Sequence, residues 1–170
     1  ELTATPLPKR TNVLFHVSAQ QLQAEALLKL PVALMEHTRG WRSAVFDAVQ
    51  TQRLLEAQAQ QEEAEPGPNQ GAYIRPIVLL QAQNSTEPVN VDVLRAHLVD
   101  ELHIPPEQVK VATGTQRELD GLDLSARDCP VRYIITVQAL REGWDCPFAY
   151  GLGTGQSIRP ATAVEQLLGR

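Results

Sequence analysis

Two stretches of the chain carry residue types from which a nucleotide or phosphate site can be built. The first is Thr136-Val137-Gln138-Ala139-Leu140-Arg141-Glu142-Gly143-Trp144-Asp145-Cys146-Pro147, directly after an apolar run. Gly143 lets the backbone turn or approach a ligand closely. Asp145 supplies a carboxylate able to accept hydrogen bonds from ribose hydroxyls, and Trp144 is an amphipathic anchor. The same residues also suit a tight strand-to-loop turn with an exposed aspartate. The second stretch is Thr162-Ala163-Val164-Glu165-Gln166-Leu167-Leu168-Gly169-Arg170, which opens with a capping box, Thr162 as cap and Glu165 three residues on. Val164, Leu167 and Leu168 share one helix face, while Gln166 and Arg170 share a roughly opposite one at i, i+4. A helix that packs its leucines inward therefore presents an amide and a guanidinium together. A guanidinium matches phosphate by charge and fork geometry; an arginine at a helix C-terminus is also favoured by the macrodipole alone.

Other chemistry is weaker or absent. Asp100-Glu101-Leu102-His103 spells D-E-x-H, the letters of a metal- and water-activating box. Such a box belongs at the end of a buried strand, whereas here it ends an amphipathic helix pattern and is followed by Pro105 and Pro106, so no role is expected of it. Gly151-Leu152-Gly153-Thr154-Gly155 resembles a phosphate loop without the full dinucleotide fingerprint. The chain has no Gly-Lys dipeptide and so no P-loop of its own. His16, His37, His97 and His103 show no H-x-x-x-H spacing, and Cys129 and Cys146 have no histidine between them, so no metal site is expected.

The elements that must position these residues alternate in type. Asn12 to Val17 predicts a strand, Gln20 to Leu30 a helix capped by Ser18, and Pro31 to Met35 a second strand. Trp41 to about Ala64 is the longest helical pattern, with Trp41, Val45 and Val49 in one stripe. Its second half is Gln, Glu and Ala with little to bury, which predicts a solvated, projecting helix. Pro66-Gly67-Pro68-Asn69-Gln70-Gly71 is the clearest break, and a boundary falls there: 1–70 as an N-terminal segment, 71–170 as the main domain. Beyond it come a strand over Ile74–Leu80, a helix over Val91–Leu102 capped by Asn90, and a strand over Val109–Ala112. A strand over Val131–Val137, a helical turn over Ala139–Glu142, a short strand over Phe148–Leu152 and a helix over Thr162–Arg170 follow. Continuous apolar strands separated by helices predict an α/β fold, a mostly parallel sheet with helices on both faces. Ligands in such folds sit at the carboxyl ends of the strands, here near Gln81, Thr113, Val137 and Gly153.

Composition narrows the classes. The chain has 170 residues, 43% of them hydrophobic, and a net charge of −5, which excludes a grossly basic DNA-coating protein while leaving room for a local basic groove. Two cysteines make neither a disulfide scaffold nor a four-cysteine zinc site. No run approaches a membrane span and no signal-like segment opens the chain, so a cytoplasmic protein without a membrane partner is expected. The start at Glu1 rather than Met and the end at Arg170 suggest a fragment.

Taken together, the Gly-x-Asp turn and the Gln-x-x-Gly-Arg helix stand in the order of motifs V and VI of superfamily 2 helicases. The wording of Ala139–Pro147 and Thr162–Arg170 resembles the Res subunit of type III restriction enzymes and its DEAD/DEAH-type relatives. Val17-Ser18-Ala19-Gln20, Tyr73-Ile74-Arg75-Pro76-Ile77-Val78-Leu79 and Val111-Ala112-Thr113-Gly114 read like the same family. The resemblance implies a second RecA-like domain, truncated within motif VI, that clamps ATP against a first domain carrying the P-loop and the magnesium-binding box. The full-length parent would then be an ATP-dependent DNA helicase or translocase using ATP and Mg2+, with DNA, the first RecA-like domain and a modification methyltransferase subunit as partners. The fragment alone would be inactive and bind no cofactor.

Carried over residue by residue, Asp145 with Gly143 would contact the nucleotide ribose, or Asp145 would couple it to DNA. Gln166, Gly169 and Arg170 would face the γ-phosphate, with Arg170 as an arginine finger and Gln166 beside it in the catalytic role. Thr113, Gly114 and Thr136 would meet DNA phosphates. The chain departs from the family pattern in two places. Motif VI usually has a second arginine beyond Arg170, and the family's DNA-contacting threonine falls at Val137, one residue after Thr136. The competing reading is a non-catalytic module that binds nucleic acid or protein, with the Gln/Glu-rich helix before Pro66 as the protein contact.

Overall fold

The computed structural model describes residues 33, 35–65, 67, 71–137 and 146–154. Apart from 33, 35 and 36, these lie in one compact unit, His37–Ser157. The predicted elements over Asn12–Val17, Gln20–Leu30, Ala139–Glu142 and Thr162–Arg170 lie outside the described residues.

Four strands form one sheet: β1 (Ile77–Gln81), β2 (Val109–Val111), β3 (Tyr133–Thr136) and β4 (Ala149–Thr154). Their order is β2-β3-β1-β4 and every pairing is parallel, so the unit is an α/β fold. β1 and β3 are central in this sheet. Their sequences, Ile-Val-Leu-Leu and Tyr-Ile-Ile-Thr, are the continuous apolar runs required of strands covered on both faces. The helices are α1 (Trp41–Ala64) and α2 (Val91–Ala96). The Asn90 side chain caps α2, its Oδ1 accepting from Val93 N at 3.1 Å.

The period of two along each strand divides the core. Val78, Leu80, Val109, Val111, Tyr133 and Ile135 pack with Val45 and Val49 of α1, Leu94 of α2 and Leu98 just beyond it. Ile77 and Ile134 point the other way and pack with Cys129, Val131 and Cys146. Helices were expected on both faces; among the described residues both helices lie on one. The opposite face is covered by irregular chain, from which Leu119, Leu124, Ala126 and Phe148 reach the core. The reason is local. The connection from β2 to β3 contains Asp120-Gly121, Asp123-Leu124-Ser125 and Asp128-Cys129-Pro130, which favour turns. Gly121 takes φ 79 and Asp123 Oδ1 accepts from Ser125 N at 2.8 Å.

Two further expectations change. The helix predicted over Val91–Leu102 is α-helical only to Ala96 and then widens into a π-helical turn, His97–Glu101. Leu102 N donates to His97 O at 3.0 Å, and His103 closes the segment with φ 54. The second half of α1 does not project freely. Ala59 is buried, Arg127 pairs with Glu63 at 2.6 Å, and Gly71 N donates to Glu62 O at 2.9 Å. Gly71 permits that approach, because a Cβ there would stand 3.0 Å from the Glu62 Cβ. Counting large apolar residues missed this docking because polar groups carry it. At its centre, Tyr133 Oη donates to Gln52 Oε1 at 3.0 Å and Gln52 Nε2 donates to Glu56 Oε2 at 2.7 Å and to Pro76 O at 3.2 Å. Arg132 holds the other Glu56 oxygen through Nε and Nη2, each at 2.8 Å. Burial pushes the Tyr133 hydroxyl up to about 12, so it remains a proton donor to Gln52.

Leu98, in the π-helical turn, is fully buried in the core whereas Leu54 is 72% exposed on α1. Leu98→Ala should lower unfolding free energy by about 2–5 kcal/mol, while Leu54→Ala should stay within about 0.5 kcal/mol. Urea unfolding of both variants checks the contrast.

Candidate functional site

The carboxyl ends of β2 and β3 are adjacent, so the structure brings Thr113, Gly114 and Thr136 to one edge of the sheet. Just past the end of β2, Thr113 opens a tight turn. Thr113 N donates to Gln116 O at 2.8 Å, and Thr113 Oγ1 accepts from Gln116 N at 3.0 Å. An isolated antiparallel bridge between Ala112 and Arg117 closes the turn behind it. The Thr113 hydroxyl is thus occupied by its own turn, while Gly114 is exposed with open space around it. Thr136 ends β3 at 4% exposure, and its carbonyl accepts from Ala82 N at 2.7 Å. Its place in the sheet keeps it largely away from solvent, so of the three DNA-site candidates the Thr113–Gly114 turn is the exposed one.

Beyond Val137 the chain crosses β1 to reach β4. The described chain resumes at Cys146, buried in one cluster with Ile77 and Val131, which begin β1 and precede β3. The connection therefore runs from the carboxyl edge to the amino edge of the sheet. Gly143 and Asp145 fall within it and lie outside the described residues, as do Gln166, Gly169 and Arg170. At its start, Gln81 Nε2 lies 3.5 Å from Val137 O. At its end, Phe148 O accepts from Ile77 N at 2.7 Å.

The glycine-rich run after Tyr150 is strand rather than phosphate loop. Gly151 and Gly153 pair in register with Val78 and Leu80 on the face that α1 covers. A Cβ would stand 3.0 Å from Val78 Cγ2 at Gly151 and 2.9 Å from Leu80 Cδ2 at Gly153. Packing explains both glycines. A shallow, uncharged dent lies where α1 begins, between Trp41, Leu80, Gln81, Gly153 and Thr154.

The Asp100–His103 box is engaged otherwise. Glu101 accepts from Arg42 Nη2 at 3.1 Å through one oxygen and lies 2.9 Å from His97 Nδ1 through the other. The His97 imidazole is buried edge-on against Trp41 with centroids 5.0 Å apart, and neither ring nitrogen makes a hydrogen bond of good geometry. Among the described residues, no group of three or more His, Cys, Asp or Glu could hold a metal ion. Positive charge is also largely engaged there: Arg42, Arg95, Arg117, Arg127 and Arg132 each pair with a carboxylate.

Sequence reasoning passed over Arg75, quoted above only within a stretch that reads like the family. It is 1% exposed and uses four of its five N–H groups. Nε donates to Val131 O at 3.2 Å, Nη1 to Ala126 O at 2.7 Å and to Tyr73 Oη at 3.1 Å, and Nη2 to Leu124 O. The available signal was a lone arginine inside an otherwise apolar run, since a charge in such a place must find partners.

No family model, curated protein or solved structure matches the chain.

The Arg42 hydrogen bond and the neighbouring His97 imidazole hold the Glu101 carboxyl below its ordinary value of 4.5. A carboxylate depressed on folding contributes stability above its unfolded value and loses it as pH falls through the folded one. The stability gap between the natural protein and Glu101→Gln should therefore be full above pH 4.5 and shrink with acidification below it. Denaturant midpoints at stepped pH measure the gap, and a gap that widens in acid contradicts the assignment.

Proposed function

We propose that this chain belongs to the second RecA-like domain of an ATP-dependent DNA helicase or translocase of the type III restriction Res kind. The observation that carries the reading is topological. In an all-parallel α/β sheet, the buried strand β3 leads into the Gly143–Asp145 segment, and its neighbour β2 leads into the exposed Thr113–Gly114 turn. Motif order along the chain and the parallel α/β class of the sheet support that assignment.

In this reading the first RecA-like domain holds ATP and Mg2+, since no P-loop occurs in these 170 residues. Asp145 accepts hydrogen bonds from the ribose, with Gly143 leaving room for the sugar. Arg170 meets the charge that develops on the γ-phosphoryl oxygens, with Gln166 beside it on the same helix face. Positioned positive charge in a water-poor cleft is worth about 10³–10⁵ in rate where such fingers operate. The Thr113–Gly114 turn offers a contact for the DNA backbone. With a net charge of −5 and most described arginines paired, this unit by itself has little attraction for polyanions, so DNA affinity is a property of the assembled motor.

In the protein that carries this chain together with its P-loop domain, Arg170→Ala should cut DNA-stimulated ATP turnover by about 10³-fold or more, with nucleotide affinity changed only a few-fold. Steady-state phosphate release and equilibrium nucleotide titration read the two quantities. Undiminished turnover rejects the finger, and ATP turnover by the isolated 170-residue chain rejects the two-domain site.

A further inference from the structure

We propose that the outer face of α1 pairs two copies of this chain, antiparallel, about a two-fold axis that passes beside Gln50. The inference does not depend on the nucleotide-site reading. It starts from two large apolar side chains left in solvent on one helix: Phe46 is 47% exposed and Leu54 72%. At about 100° per residue, Phe46, Asp47, Gln50, Arg53, Leu54 and Ala57 all fall within about 60° of the Gln50 direction. Val45, Val49, Gln52 and Ala59, the buried residues of α1, point more than about 90° away from it. The stripe therefore runs along the side of α1 turned from the sheet, about 16 Å from Phe46 to Ala57. An exposed leucine alone is ordinary; the symmetry of the stripe is what names its occupant.

Phe46 and Leu54 stand four positions before and after Gln50, and Asp47 and Arg53 three positions before and after it. An antiparallel two-fold axis beside Gln50 sets Phe46 of each copy level with Leu54 of the other, and Asp47 of each level with Arg53 of the other. That is what an isologous contact requires: one patch, complementary to itself. Phe46, Gln50 and Leu54 also form a single i, i+4 ridge, and two such ridges packed at a crossing of about 50° make the commonest helix pair. Charge selects the direction. Arg42 and Arg53 precede Glu56, Glu62 and Glu63 along α1, so antiparallel copies bring opposite charges together and parallel copies bring like ones. Arg53 is exposed and forms no ion pair among the described residues. The Asp47 side chain stays 48% exposed beside His37, 3.4 Å away. Two large apolar side chains from each copy put the contact at the small end of interface sizes, below about 1,200 Å². The dimer is accordingly weak, reversible and salt-sensitive.

Sedimentation velocity of the 170-residue chain over a concentration series reads the pairing. The natural chain should pass from monomer to dimer with a dissociation constant below about 1 mM, and added salt should drive it back toward monomer. Leu54→Lys, at a position open enough to leave the fold intact, should stay monomeric throughout the series. Arg53→Asp and Asp47→Arg should each weaken the dimer about tenfold or more, and the double exchange should recover it, since it restores attraction across the axis. A thermal midpoint for each variant at the lowest concentration separates lost pairing from lost fold. A natural chain that stays monomeric throughout leaves the stripe to a different protein and overturns the self-pairing. A dimer that survives Leu54→Lys uses another surface and overturns it as well. So does a double exchange that binds no tighter than the single variants.

Discussion

A buried guanidinium holds the side of the sheet that no described helix covers. The β2–β3 connection is built of turns, and turns leave carbonyls without intrachain partners that would be costly to bury unpaired. Arg75 answers that need with one rigid fork: three carbonyls from Leu124, Ala126 and Val131, and one hydroxyl from Tyr73. Among the described residues the charge has no salt bridge; it is solvated by oxygen dipoles, as water would solvate it, and it lies 5.6 Å from the Phe148 ring centroid. Turns at Asp123, the apolar cluster around Ile134 and the return of the chain into β4 are all arranged about this group.

The helical side follows a different rule along its length. The first half of α1 packs by apolar burial through Val45 and Val49. The second half has little apolar surface and is held by charge and amide contacts, from Gln52 through Glu56 and Glu63 to partners on β3 and the surrounding loops. On the face that α1 covers, Gly151 and Gly153 of β4 leave room for the side chains of Val78 and Leu80. A helix, a strand and a loop thus meet at the sheet through three kinds of contact, each set by which side chains the local sequence could supply.

These constraints bear on the candidate site through its frame. The edge formed by β2 and β3 carries the exposed Thr113–Gly114 turn beside the buried Thr136, and the crossing connection is fastened at Val137 on one edge and at Phe148 on the other. A parallel pair separated by an intervening strand requires such a crossing.

Much of the frame was legible in the residues themselves. The apolar runs at Ile77–Leu80 and Tyr133–Ile135, the Asn90 cap and the parallel α/β class follow from local rules of periodicity, capping and two-faced burial, which need no distant partner. Tertiary structure decided the strand order β2-β3-β1-β4, the gathering of both described helices on one face, the docking of the Gln/Glu-rich half of α1 and the packing role of Gly151 and Gly153. It also decided that Thr136 is buried and that Arg75 is the hub of the opposite face. Each of these depends on contacts between residues far apart in the chain. Glu56 meets Arg132 and Arg75 meets Val131, and such pairings are set by how the strands assemble, not by any window of sequence around one residue.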